Sequence, residues 1–171
     1  VLPVQSKGRA NVNDLLAVII GNGTNYGLYG MANISDRAYD QLKGIQANYL
    51  RPETLNNAND VINNSVARLA IFKHYNIQED LIHASADGQK FESRLETFKT
   101  RYSSKYFGTN KGVSAITLIA NHAALNAKVI GSNEHESHYI FDLLQSNTSE
   151  IQPDVLSTDT HGVNHVNFAL L

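Results

Sequence analysis

Two aspartates carry the most specific chemistry in the chain. Asp87 stands in Ser85-Ala-Asp-Gly88 and Asp159 in Ser157-Thr-Asp-Thr160. Each closes a short run that reads as a strand: residues 80–86 are apolar at alternate positions and meet Asp-Gly, and residues 155–159 follow Pro153-Asp154. If the two strands are parallel neighbours, both carboxylates emerge at one edge of a sheet. Close carboxylates repel, so they share a proton or hold a cation. An all-oxygen pair with open positions selects magnesium or manganese. Two such ions roughly 3.5–4 Å apart can activate an attacking oxygen and steady a leaving oxygen in phosphodiester cleavage. The same residues also suit humbler roles, a turn at Asp87-Gly88 and a helix cap at Asp159.

A second constellation is basic. Residues 90–111 hold Lys90, Arg94, Lys99, Arg101, Lys105 and Lys111 against only Glu92 and Glu96. Phe98, Tyr102, Tyr106 and Phe107 are interleaved with them. Mixed bases and aromatics can follow a nucleic-acid backbone, and a solvated loop would have the same composition. Lys90, Lys99, Arg101, Lys105 and Lys111 are the candidate DNA contacts.

Other patterns fall short of a site. Gly21-Asn-Gly-Thr-Asn-Tyr-Gly27 is spaced G-x-G-x-x-x-G after a helix-like run and has no Walker lysine, so it reads as a helix interruption or a close-packing site. His135-Glu-Ser-His138 is one residue short of H-E-x-x-H. His161 and His165 could share a helix face, but a catalytic zinc needs a third protein ligand. There is no G-x-S-x-G elbow.

The elements that must position these residues divide the chain in two. Up to about residue 76 the periodicity is helical. One helix starts after Asn11 or Asn13, another begins near Ser35-Asp36, and a third has Pro52 in its first turn and runs to about His74. From about residue 77 the pattern changes to strands. Residues 112–120 and 123–131, joined by Asn121-His122, predict an antiparallel hairpin. Asn133 with Glu136 resembles a capping box that opens a helix through Ile140, Phe141 and Leu144. Another helix starts after Gly162. Three antiparallel strands, a helix, and a strand able to join the first in parallel match the opening half of a ribonuclease-H-like fold. We therefore expect an α+β chain: a helical region over 1–76, then a partial ribonuclease-H-like domain with a mixed sheet over 77–171.

Bulk composition sets outer limits. The 171 residues are 42% hydrophobic and 18% charged, enough for a globular core. With no cysteine, disulfides and thiolate metal sites are excluded. The formal charge of −2 excludes a uniformly basic nucleic-acid binder. No apolar run reaches the roughly 18 residues of a membrane helix, and the first residues lack the basic start and long apolar stretch by which a secretory leader would be expected. We expect a cytoplasmic protein without membrane contact. The start at Val1 and the apolar end, Val166-Asn-Phe-Ala-Leu-Leu171, suggest a piece of something longer.

Several motifs together resemble the Tn-three family of replicative bacterial transposases. Gly21-Asn-Gly-Thr-Asn-Tyr-Gly-Leu28 is similar to the family's EGTN-x-GL segment. Ser85-Ala-Asp-Gly-Gln-Lys-Phe91 resembles S-S-D-G-Q-R-F, and Gly112-Val113 precedes the hairpin as in the family. Ser157-Thr-Asp-Thr-His-Gly162 resembles Y-T-D-T-A-G, and Val166-Asn-Phe-Ala-Leu170 resembles the V-F-A-L after it. The order is the family's, and the motifs span nearly the whole chain.

The resemblance implies a DDE catalytic domain of ribonuclease-H-like fold. Asp87 matches the family's first catalytic acid and Asp159 its second, both as ligands of Mg2+ with Mn2+ as a substitute. It implies hydrolytic nicking at transposon ends, then attack of the freed 3′-hydroxyl on target DNA. The partners implied are DNA ends, target DNA, and a second copy or a full-length transposase, in a nucleoid-associated setting. Two departures stand out. The family's third acid, a glutamate, lies beyond the second aspartate and has no counterpart in this chain; Glu134, Glu136 and Glu150 all precede Asp159. The family's glutamate before Gly-Thr-Asn is Asn22. With two of three acids, the fragment is not expected to catalyse efficiently alone. A catalytically dead remnant acting as an interaction or dimerisation module is the alternative.

Overall fold

A computed structural model of the chain describes residues 9–78, 80–159 and 164–170. The fold is α+β, with two compact units that divide between Ala58 and Asn59, inside a helix. No helix among the described residues is long and apolar enough to cross a membrane.

The first unit is helical. Helix α1 (Val12–Gly23) starts at Asn11, whose side chain accepts from the backbone N–H groups of Asn13 and Asp14. Of the two asparagines expected as caps, Asn11 takes the role. Helix α2 (Gly27–Ile34) begins at positive φ (72°) and α3 (Tyr39–Tyr49) follows. The glycine-rich run thus breaks the helix after Gly23, and it also provides a close contact. A β-carbon on Gly21 would lie 3.3 Å from both Met31 Cβ and the Gly27 carbonyl. Ala17, Val18 and Leu42 form the buried centre of this unit, packed by Leu28, Met31, Ala32, Ile45 and Leu50.

Helix α4 (Pro52–Ala67) has proline in its first turn, where the missing N–H costs nothing. It stops earlier than the apolar periodicity predicts, and Ala70–Tyr75 winds as a 3-10 turn. Val66, Ala67 and Phe72 pack in the core of the sheet. Residues 59–76 therefore go with the second unit, although their helical period alone groups them with residues 1–58.

The second unit is a five-stranded mixed sheet. Strand β1 (His83–Glu92) pairs antiparallel with β3 (Lys111–Ala120) and parallel with β5 (Val155–Thr158). Strand β4 (Ala123–Gly131) and the short β2 (Arg101–Tyr102) pair antiparallel with β3. Asn121 and His122 both have positive φ (47° and 65°), as a two-residue hairpin turn matched to strand twist requires. The expected hairpin and the parallel return of the last strand are both present. The segment from 90 to 111 is not one loop: it holds the end of β1, strand β2 and the single-turn α5 (Ser104–Phe107).

Alternation along β1 and β3 sorts the sheet's faces. Ala84, Ala86, Ile116, Leu118 and Ala120 point to the covered face, against Ile140 and Leu143 of α6 (Ile140–Gln145), Ile151 and Phe72. The opposite face stays open: Ile119, Val129 and Val155 are 44%, 43% and 40% exposed. Helix α6 is entered through a 3-10 turn, Glu136–Tyr139, rather than through a capping box. Glu136 does not cap a helix because its carboxylate accepts from Ser114 Oγ on the sheet. The last helix, α7 (His165–Leu170), is tied to that turn by Asn167 Nδ2, which donates to the Ser137 carbonyl at 2.8 Å.

Candidate active site

Strand β1 does not end at Asp87-Gly88, as the turn chemistry of that pair suggests. It continues to Glu92, and Asp87 sits mid-strand opposite Thr117. Nine paired positions with β3, from Ala84 to Glu92, outweigh the local turn preference of two residues. On its other side β1 is paired only from His83 to Ala86, where β5 runs out at Thr158. Beyond that point β1 has no partner on this side among the described residues, and Asp87 is the first residue past the pairing.

The register between β1 and β5 places the second aspartate. Ser85 pairs with Ser157 and Ala86 with Thr158. Carried one residue further, the register sets Asp159 opposite Asp87. In parallel strands such partners share a face, here the open one with Ser85 and Ser157. Both aspartates line one cleft of about 500 Å³, together with Gly88, Gln89, Lys90, Lys105, Tyr106, Glu134, His135 and Glu136. Asp87 is exposed; its Oδ1 accepts from the Gly88 N–H at 2.8 Å, and it makes no ion pair among the described residues.

Four carboxylates, two lysines and a histidine thus border the cleft. Their donors suit a hard divalent cation, which takes carboxylate oxygens. Asp87 lies on β1 and Asp159 just past the end of β5, and both border this cleft. The other two acids are engaged elsewhere. Glu134 accepts from the Gly131 N–H and from the Tyr139 hydroxyl. That hydroxyl, then the Gly131 N–H, hold the Glu134 carboxyl below its usual range, and Glu134 in turn raises the Tyr139 phenol. Glu136 is held by Ser114 and Lys90. Among the described residues no group of three or more His, Asp and Glu side chains forms a ligand set.

The five candidate DNA contacts are not equivalent. Lys111 is paired with Glu96 at 2.7 Å; that hydrogen bond raises its pKa despite the burial that opposes it. Lys99 Nζ donates to the Val129 carbonyl, and Arg101 donates to the carbonyls of Phe98 and Thr100. These three brace the 90–111 segment against itself and against β4. Only Lys90 and Lys105 of the five line the cleft. Composition could not separate them, because the distinction depends on which turn of the segment faces β1. Glu136 and Ser114 also went unnoticed as site residues; a capping-box spacing masked the first, and the second is one of many serines.

The zinc alternative finds little to build on. His161 lies outside the described residues. His165 borders a second cleft with His135 and His138, whose rings are 5.7 Å apart.

Comparison with known proteins adds an independent line. No solved structure matches the chain. Among curated proteins it is similar to the transposase for transposon Tn4556 of Streptomyces fradiae, 27% identical over 96% of this chain. It is 26% identical over 91% of its length to the transposase for transposon gamma-delta of Escherichia coli (strain K12). It is 33% identical over 92% to the transposase for transposon Tn2501 of Escherichia coli. The matched region is 19%, 16% and 16% of those proteins, so the chain spans less than a fifth of each. The family model described as Tn3 transposase DDE domain matches residues 1–171, and the chain belongs to that family.

Proposed function

We infer that the sheet unit is the front part of a metal-dependent DNA transposase site. On this reading it has a ribonuclease-H-like core, whose catalytic part begins near residue 77. The observation that carries the reading is that Asp87 on β1 and Asp159, one residue past the end of the parallel strand β5, border one cleft. Family membership supports it, because the relatives are transposases.

In the complete protein the activity is nicking at transposon ends followed by strand transfer to target DNA. Magnesium, or manganese in its place, would be held by Asp87 and Asp159 and would supply Lewis-acid stabilisation of the phosphate and activation of the attacking oxygen. The chain's own contribution is positional. Strand pairing on both sides of Ala86 fixes the strand that carries Asp87, and the Gly88 N–H orients one carboxylate oxygen. Lys90 and Lys105 place positive charge beside the two acids, where a phosphodiester would sit. A third acid from outside this chain would complete the ligand set. DNA ends, target DNA and a second transposase copy are the partners on this reading, and a cytoplasmic, nucleoid-associated location follows from them.

The absence of a three-acid cluster among the described residues favours one competing reading, an inactive remnant that acts as an interaction module. A nicking assay on labelled DNA in manganese separates the two. A reproducible nick that disappears in Asp87→Asn supports the catalytic reading. No nick, with self-association retained, supports the remnant.

A further inference from the structure

Glu136 and Lys90 come together through a gap in the sequence's side chains. Gly88 and Lys90 lie on the same face of β1, opposite Ile116 and Ser114 of β3. Glu136 reaches this face from the 3-10 turn that precedes α6. Its carboxylate lies over Gly88 so closely that any β-carbon there would collide with it. Ser114 Oγ donates to Glu136 Oε1 at 2.8 Å, and Lys90 Nζ stands 3.7 Å from the same oxygen. The two side chains are only 17% and 19% exposed. A lysine this enclosed would ordinarily lose its flexible reach. Here it is pinned with its ammonium at the cleft: Nζ donates to the Ser132 carbonyl at 3.2 Å and lies 5.0 Å from the Tyr106 ring centroid.

The same ring holds a second cation. Lys105 Nζ is also 5.0 Å from the Tyr106 centroid. The two ammonium groups are therefore no farther apart than twice that distance, and both border the cleft that contains Asp87 and Asp159. Lys105 has no carboxylate partner among the described residues. Both ammonium groups stand at one aromatic ring in a cleft that a DNA phosphate could enter, and an anion placed between them is attracted by both.

We propose that Lys90, Lys105 and Tyr106 form a two-cation clamp for a single DNA phosphate, and that Glu136 is the positioning residue that holds Lys90 in it. The inference rests on the cleft being a DNA site. Its chemistry selects a phosphodiester oxygen next to the paired aspartates, whereas Lys99, Arg101 and Lys111 hold the segment's own fold.

The test exploits a reversal of sign. DNA binding by the chain is followed by fluorescence anisotropy over a range of salt concentrations. Lys90→Ala and Lys105→Ala are each expected to reduce the salt slope by about 0.7–0.9, the loss of one phosphate contact. Glu136→Gln removes a negative charge, so plain electrostatics predicts tighter binding. The clamp predicts the opposite: roughly threefold weaker binding and a shallower slope, because Lys90 is released. In the Lys90→Ala background the same change should strengthen binding. Ser114→Ala, which removes the other hold on Glu136, should reproduce the weakening to a smaller degree, with an unchanged melting temperature as the check on folding.

If Glu136→Gln tightens binding in both backgrounds, Glu136 is a bystander charge and the clamp is overturned. If it weakens binding in both, its role is structural and the clamp is overturned as well. If the unmodified chain shows no salt-dependent binding, the DNA reading of the cleft fails and the clamp falls with it. The first two outcomes leave that reading intact.

Discussion

The helical unit and the sheet unit each hold an aspartate at a key place, and they treat it in opposite ways. Asp14 in α1 is buried, ion-paired to Arg37 at 2.7 Å and hydrogen-bonded by Gln41. Its charge is spent inside the fold, joining α1 to the start of α3 and to the turn before it. Asp87 in β1 is exposed, and among the described residues its side chain accepts from the next residue's own N–H and makes no ion pair. Its charge faces the cleft rather than a partner inside the described fold. Burial with a partner marks a structural acid; exposure beside a second acid in a cleft marks an acid available to a cation.

Substitutions should separate the two cases. The largest effect on stability is expected at Asp14: Asp14→Ala strands the Arg37 guanidinium and should cost about 2–3 kcal/mol in urea unfolding of the helical unit. Manganese affinity should be unaffected, and a loss of affinity would blur the distinction. Gly88→Ala comes next, because the new methyl must displace the Glu136 carboxylate. The displaced carboxylate, the end of a flexible side chain, gives up its hydrogen bond from Ser114 Oγ, a contact of about 1.5–3 kcal/mol for a charged acceptor, read as a lower melting temperature of the sheet unit. Asp87→Asn should leave the melting temperature in place and weaken manganese binding at least about tenfold, roughly 1.4 kcal/mol. A fall in stability with unchanged metal affinity would make Asp87 a second Asp14.

The smallest effect concerns Glu134 and Tyr139. The carboxyl is held below its ordinary 4.5 and the phenol above its ordinary 10.0, each chiefly by the hydrogen bond between them. The Glu134 contribution is complete above the ordinary carboxylate range and is lost as pH falls through the lowered value. The Tyr139 contribution is complete below the ordinary phenol range and is lost as pH rises through the raised value. Both groups are solvent-screened, so less than about 1 kcal/mol is at stake. Glu134→Gln should bring the Tyr139 titration, followed by ultraviolet absorbance against Tyr139→Phe, back toward the ordinary phenol range.

Much of this layout was legible in the residues. The hairpin announced itself because Asn121-His122 can adopt left-handed backbone and the flanking runs are uniformly strand-like. The parallel return of β5 followed from a helix intervening between strands, as a crossover needs. The two aspartates were singled out both by strand-edge logic and by motif resemblance, and both border one cleft. What escaped was tertiary. Asp87-Gly88 looks like a turn, because local preference cannot register the long β3 partner. Glu136 looks like a helix cap, because spacing alone cannot see Ser114. Lys90 and Lys111 look alike among six bases, because only the folded segment turns one toward Glu136 and the other toward Glu96.

The central claim is that Asp87 and Asp159 jointly hold a divalent cation at the cleft. Anomalous scattering from crystals of the chain soaked in manganese tests it most directly. The account predicts a peak between the two carboxylates, absent in Asp87→Asn. No peak there, or a peak that survives the substitution, would contradict it.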